Sequence, residues 1–241
     1  MRYGVFSDVH SNLEAFEAVC EDFKSCRIDR FLFCGDIVGY GASPSECIAK
    51  LISLDPVCIA GNHDWAVADV IDLDSFNQMA NQSIVWTKEK INESERLFLS
   101  NLELMKNGTT WRLVHGSLNN PQDFNYMSDE YMAARTFSCL EEQVCFVGHT
   151  HKAGIFIQNR EKISLTQEKL LKLKKDLRYI VNVGSVGQPR DGDCKASFCV
   201  YDDVDSSVEF RRVPYDARRA RQKIIDCGLP KILGDRLLAG R

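Results

Sequence analysis

Through the first 148 residues, short runs rich in β-branched and aromatic residues alternate with stretches of helical periodicity, and this alternation limits the fold more than any other feature. The runs are Tyr3–Ser7, Arg30–Cys34, Val57–Ala60, Trp111–His115 and Gln143–Gly148. Each has the length of a buried strand and is too short for a helix. The alternation predicts βα units and a central sheet buried on at least one face. Ser11–Glu14 and Ser43–Glu46 have the spacing of capping boxes, the second with Pro44 at the first helical position. A further start at Asn92–Glu95 predicts two or three helices between residues 65 and 105. The second half differs. Gly154–Gln158, Glu161–Leu165, Arg178–Val183, Ala196–Asp202 and Ser207–Val213 read as strands joined by turns, as in a second sheet with antiparallel parts. A sheet-on-sheet core with helices outside accommodates both halves in one α/β domain over residues 1–241, and a hydrophobic content of 44% is enough to fill it.

The formal net charge of -4 gives no global attraction to nucleic acid, so an anionic substrate has to be held by local charge. No window is apolar enough for a membrane span and the N-terminus has no long apolar core, so the chain reads as a soluble cytoplasmic protein. Ten cysteines contain no CxxC pair, and several lie inside strand-like runs, which favours buried reduced thiols over a disulfide framework. The Lys-rich stretch 168–178 and the Arg-rich stretch 211–223 read as solvated amphipathic faces, because acidic residues are interspersed.

All five histidines fall in short motifs at the expected C-terminal ends of strands: Asp8-Val9-His10, Asn62-His63-Asp64, His115-Gly116-Ser117 and His149-Thr150-His151. Gly35-Asp36 ends the strand at 30–34 in the same way. Strand ends of a buried parallel sheet share one rim, where ligands bind in open α/β sheets, so these side chains are expected to converge. In an extended segment residues i and i+2 project to the same side, making Asp8 with His10 and His149 with His151 candidate chelating pairs. Mixed imidazole, carboxylate and amide donors suit borderline divalent ions such as manganese, iron, cobalt, nickel or zinc.

The order DxH, GD, GNHD, HG, GHTH resembles the calcineurin-like metallophosphoesterase superfamily. Stretches such as "GDIVGYGASPSE", "WTKEKINESERLFLSNL", "VNVGSVGQPRDGDCKASFCVYD" and "GLPKILGDRLLAG" extend the resemblance over nearly the whole chain and are similar to its compact bacterial and archaeal branch. The resemblance implies a sandwich of two mixed sheets flanked by helices. It implies two divalent ions, manganese first: one held by Asp8, His10, Asp36 and His151, the other by Asp36, Asn62, His115 and His149, with Asp36 bridging. The expected activity is hydrolysis of a small phosphodiester or nucleotide phosphoanhydride, dinucleoside polyphosphates being one class, by in-line attack of a metal-bridging hydroxide.

That assignment leaves His63 without a metal, as general acid toward the leaving group. Asp64 would either orient His63 or support the first turn of the following helix. Asn12 is placed near the site by the motif, although it also falls in the first turn after the Ser11 cap. Residues 184–190 would brace the GHTH loop, with Arg190 reaching a substrate phosphate or forming a structural salt bridge. Phe124, Tyr126 and Tyr131, in the segment 117–135 expected to wall the pocket, would stack on a base or pack in the core. Two departures matter. Gly39-Tyr40-Gly41 stands where protein phosphatases carry an Asp-Arg pair, which demotes that reading; a phosphomonoesterase and a non-catalytic scaffold of this fold are the remaining alternatives. Lys152-Ala153-Gly154 follows GHTH where the family often has proline, which puts the local turn in doubt.

Overall fold

The computed structural model describes all 241 residues. Twelve strands run in chain order as β1 Arg2–Phe6, β2 Arg30–Phe33, β3 Val57–Cys58, β4 Met105–Asn107, β5 Trp111–Val114, β6 Val144–Val147, β7 Gly154–Asn159, β8 Lys162–Thr166, β9 Leu170–Lys172, β10 Arg178–Asn182, β11 Ala196–Asp202 and β12 Ser207–Val213. The helices are α1 Leu13–Ser25, α2 Pro44–Leu54, α3 Asn62–Val67, α4 Gln78–Lys88, α5 Glu93–Ser100, α6 Glu130–Phe137, α7 Ala217–Asp226 and α8 Lys231–Ala239.

The strands form two six-stranded mixed sheets, ordered β3-β2-β1-β11-β12-β9 and β4-β5-β6-β10-β7-β8. The sheets do not correspond to the two halves of the chain. The returning hairpin β11–β12 joins the first sheet through an antiparallel pairing with β1, and β10 inserts beside β6 in parallel. The Lys-rich stretch is also corrected: Leu170–Lys172 is an edge strand pairing with β12. The Arg-rich stretch is anchored more than solvated, Arg211 pairing with Asp22, Arg212 with Asp191, and Arg219 and Lys223 with Glu14.

Period-two alternation distributes the strand side chains between two faces. Tyr3 and Val5 of β1 meet Trp111 and Leu113 of β5, and Val144 and Phe146 of β6, in the core between the sheets. On the outer face of the first sheet, Phe6, Phe33 and Phe198 pack against Phe16 and Phe23 of α1 and Ile48 and Leu51 of α2. Cys145, Val147 and Ile180 face Ala133 and Phe137 of α6 on the other side. The result is a four-layer α/β/β/α sandwich. Strands buried on both faces explain why the runs read as continuously apolar. All ten cysteines are free thiols, and no helix is long and apolar enough to cross a membrane.

β1, β2 and β3 run parallel in one sheet, as do β5, β6 and β10 in the other. The segments that follow these six strands hold the candidate metal-site motifs and the stretch 184–190.

Candidate metal centre

The site is built from left-handed turns. Asp8, His10, Asp36, His149 and His151 all have positive φ, between 48° and 65°. Such backbone costs non-glycine residues about 1–2 kcal/mol each and persists where surrounding contacts over-determine it. The spacing of Asp8 and His10 therefore works for a different reason than strand alternation: β1 ends at Phe6, and both residues lie in the turns beyond it. Those contacts are dense. His149 N–H donates to both carboxylate oxygens of Asp8 (3.2 and 3.1 Å), Ser185 Oγ–H donates to the Asp8 carbonyl (2.8 Å), and Gly187 N–H donates to the same carbonyl (2.9 Å). Residues 184–190 thus brace the Asp8 and GHTH loops together. Glycine is needed where the loops after β2 and β3 touch: a Cβ on Gly61 would lie 2.0 Å from Asp36 Oδ1.

The structure brings the predicted donors into one buried cluster. Asp8, His10 and His151 form one group whose candidate donor atoms all lie within 4.8 Å of one another; Asp36, His115 and His149 form another. Asp36 connects them. Its Oδ1 accepts the backbone N–H of His63 (2.8 Å), while its Oδ2 lies 3.7 Å from His10 Nε2 and 3.2 Å from His115 Nε2.

The donor set fits divalent cations. His10 Nδ1 faces the Val38 carbonyl (3.0 Å), His115 Nδ1 that of Cys34 (2.7 Å) and His151 Nδ1 that of Gln188 (2.6 Å). A carbonyl only accepts, so each Nδ1 carries a proton and Nε2 is the nitrogen turned inward, offering a lone pair on any ring that is neutral. His10 Nε2 and His151 Nε2 then face one another at 3.0 Å, and His151 Nε2 lies 3.2 Å from Asp8 Oδ1. Such a concentration of lone pairs calls for protons or cations. Asn62 Oδ1 and His115 Nε2 are buried without a hydrogen-bond partner, as ligand atoms would be. His149 makes no such ring hydrogen bond; it stacks on Tyr126, centroids 4.0 Å apart.

Charges in the cluster are strongly coupled. Burial opposes ionisation of Asp8 and Asp36, yet the surrounding imidazoles hold both below the usual carboxylate range. Burial also opposes charge on His115, but Asp36, Asp8 and the Cys34 carbonyl outweigh it and raise the ring to about 9. Burial lowers His149 to about 3, with His115 reinforcing it.

His63 is buried, with its ring 4.5 Å from Tyr40, 4.9 Å from His10 and 5.2 Å from Phe76. Its Nδ1 has no partner. Burial lowers the ring to about 4, Asp36 opposing and Arg190 reinforcing. A donor atom of His63 also comes within 4.8 Å of those of His10 and Asp36, so proximity places it at the cluster without assigning it a role.

Asp64 does not orient His63. Its carboxylate accepts backbone N–H groups of Asp36 (2.8 Å), Ile37 (2.9 Å), Val38 (3.3 Å) and Gly61 (3.0 Å), so it shapes the Asp36 loop and caps α3. Burial first, then the Asp36 charge, pushes it up to about 7 against those amides.

Asn12 is also corrected. Its Oδ1 accepts Ala15 N–H (3.2 Å) as the true cap of α1, in place of Ser11, and its Nδ2 donates to the Gly187 carbonyl (2.7 Å) and Tyr215 Oη (3.3 Å). Both of its N–H donors are used, and Asn12 does not line the cleft over the cluster.

That cleft, of about 480 Å3, is lined by Asp36, Asn62, His63, His149, His151 and Arg190 among others. Arg190 forms no salt bridge. It donates to Gln188 Oε1 (3.2 and 2.7 Å) and lies over the Tyr40 ring at 5.6 Å, leaving guanidinium N–H groups for an anion. Of the three aromatics of 117–135, Phe124 and Tyr126 both line the cleft, the first buried and the second exposed, while Tyr131 is exposed away from it. Tyr40, Asp72, Phe76 and Asp123 also line the wall and carried no motif; Tyr40 had only its place in Gly39-Tyr40-Gly41 as a signal. A larger depression of about 680 Å3 is lined by none of the cluster residues.

A family model described as the calcineurin-like phosphoesterase superfamily domain matches residues 1–206. An uncharacterized protein of Methanocaldococcus jannaschii is 39% identical over 241 residues, covering 98% of this chain and 97% of its own. The crystal structure of a metallophosphoesterase from Sphaerobacter thermophilus superposes with a TM-score of 0.88 at 36% identity, covering 100% of this chain and 99% of that one. A hypothetical protein from Pyrococcus horikoshii OT3 shares the fold, with a TM-score of 0.82 at 21% identity over 100% and 98% of the two chains.

Proposed function

The chain belongs to the calcineurin-like phosphoesterase superfamily, and we propose that it is a two-metal hydrolase of a small phosphodiester or nucleotide phosphoanhydride. The observation that carries this reading is Asp36 Oδ2 standing between two groups of inward lone pairs, an arrangement that satisfies two cations better than one. Asp8, His10, Asp36 and His151 would hold one ion; Asp36, Asn62, His115 and His149 the other. When bound, such a pair supplies Lewis acidity to the phosphoryl oxygens and acidifies water for in-line displacement.

The remaining residues act on the substrate. Arg190, unpaired with any carboxylate, binds a non-bridging phosphoryl oxygen through its free N–H groups. His63 presents a ring N–H toward the leaving-group oxygen and transfers the proton as the bond breaks, a contribution worth about 100- to 10,000-fold. Its low affinity for protons in the free protein means that the acid form depends on the incoming negative charge of the substrate. Asp64 has a positioning role, fixing the loop that aims Asp36.

The test is hydrolysis of bis(p-nitrophenyl) phosphate and p-nitrophenyl phosphate by the purified protein with manganese. The proposal expects a higher kcat/KM for the diester. A wide preference for the monoester would replace the diester reading with a phosphomonoesterase, and a protein that binds no metal and cleaves neither would be a scaffold.

A further inference from the structure

Beside the catalytic cleft lies a second groove, of about 360 Å3, entered past the GHTH loop. Tyr126 and Arg190 line both spaces, so the groove continues from the cleft. Its chemistry is different. Lys152 and Arg190 line it and no Asp or Glu does, whereas Asp72 and Asp123 line the cleft and not the groove. Lys152 is exposed and has no carboxylate partner; only its backbone N–H is bound, to Thr150 Oγ1 (3.3 Å). Phe156 and Leu165 form an apolar wall, and Leu165, on β8, is 53% exposed. Tyr126 is likewise 53% exposed, with one ring face stacked on His149 and the other open. Lys152 occupies the position where the turn after GHTH departs from the family pattern, a feature the metal chemistry leaves unexplained.

Unpaired cations, an open aromatic face and an apolar wall together fit a ligand that combines negative charge with a flat apolar body. We propose that this groove is the subsite for the part of the substrate beyond the scissile phosphate, and that it takes a nucleoside carried on a further phosphate. The reading rests on the phosphoesterase function above and narrows it to nucleotide phosphoanhydrides. A phosphate leaving the cleft is drawn away from Asp72 and Asp123 toward Arg190 and Lys152. The base then lies against Tyr126 and the Phe156–Leu165 wall, the kind of aromatic stacking that tolerates any base.

The experiment measures binding and turnover on the manganese-loaded full chain. An adenosine triphosphate analogue with both anhydride oxygens replaced by methylene is titrated calorimetrically beside the same bridged chain lacking its nucleoside. The analogue should bind roughly tenfold tighter than the bare chain. Tyr126→Ala and Leu165→Glu should erase that difference, and Lys152→Ala should weaken both ligands. With substrates, Lys152→Ala and Leu165→Glu should lower kcat/KM for adenosine triphosphate roughly tenfold more than for bis(p-nitrophenyl) phosphate. All three side chains are exposed, so the variants should fold. Turnover of the diester with equal binding of the two bridged ligands would overturn the subsite and leave the hydrolase standing. Variant-sensitive nucleotide binding without turnover of any ester would sink the hydrolase and leave the groove a nucleotide site.

Discussion

At His63 the backbone N–H is bound to Asp36 Oδ1 while the ring Nδ1 is bound to nothing. Three of the other histidines are fixed by a carbonyl behind Nδ1, as ligating imidazoles usually are; His63 and His149 both lack one, so the geometry alone does not divide them, and the separation of His63 from the ligands is a proposal that substitution tests. A His63→Ala variant should keep two metals per chain by elemental analysis and lose about 100- to 10,000-fold in kcat. Loss of one metal would instead make His63 a ligand. Its neighbour Asp64 shows the limit of reading roles from adjacency. The carboxylate sits beside a candidate acid in sequence, yet all its hydrogen bonds go to four backbone amides, a choice made by the fold of the Asp36 loop.

At the scale of elements, α1 begins at Asn12, whose side chain is spent on the cap and on the Gly187 carbonyl. Asn12→Ala should therefore cost about 1 kcal/mol of stability through the cap, read as a lower denaturation midpoint, with KM unchanged. A raised KM would return Asn12 to the substrate site. The strands that carry the motifs were legible because burial on both faces writes a continuous apolar run, as in Val144–Val147. Convergence of the motifs was legible too, since parallel strands end on one rim. What could not be read was how the chain turns there. Asp8, His10, Asp36, His149 and His151 adopt left-handed backbone that no propensity favours, held by contacts from residues far along the chain, such as Ser185, 177 positions away, to the Asp8 carbonyl. The edge strand Leu170–Lys172 was hidden for a related reason: its only partner is β12, and Lys172 with the flanking Lys169, Lys174 and Lys175 masks the pattern.

For the molecule as a whole, the centre joins loops from both sheets, so its occupancy should govern global stability. Metal at 100 times its Kd stabilises by roughly 2.7 kcal/mol, which for a chain of this size is about 5–10 °C in Tm. Chelation should lower the melting temperature by that order, and manganese should restore it. The metal-free protein should also be acid-sensitive. Burial lowers His10, His63, His149 and His151 below 6.5, so on acidification from there toward about 4 the unfolded chain binds more protons and stability falls. Asp64, raised to about 7, works in the opposite direction across the window, and His115, raised to about 9, does so only near its upper end, against four lowered rings. Urea midpoints of chelator-treated protein should decrease across that window. The central claim, two cations sharing Asp36 with His63 outside their coordination, is tested most directly by anomalous diffraction at the manganese edge from crystals grown with manganese. The account predicts two peaks ~3.5–4 Å apart on either side of Asp36 Oδ2, and no ring nitrogen of His63 within bonding distance of either. A single peak, or one coordinated by His63, would contradict it.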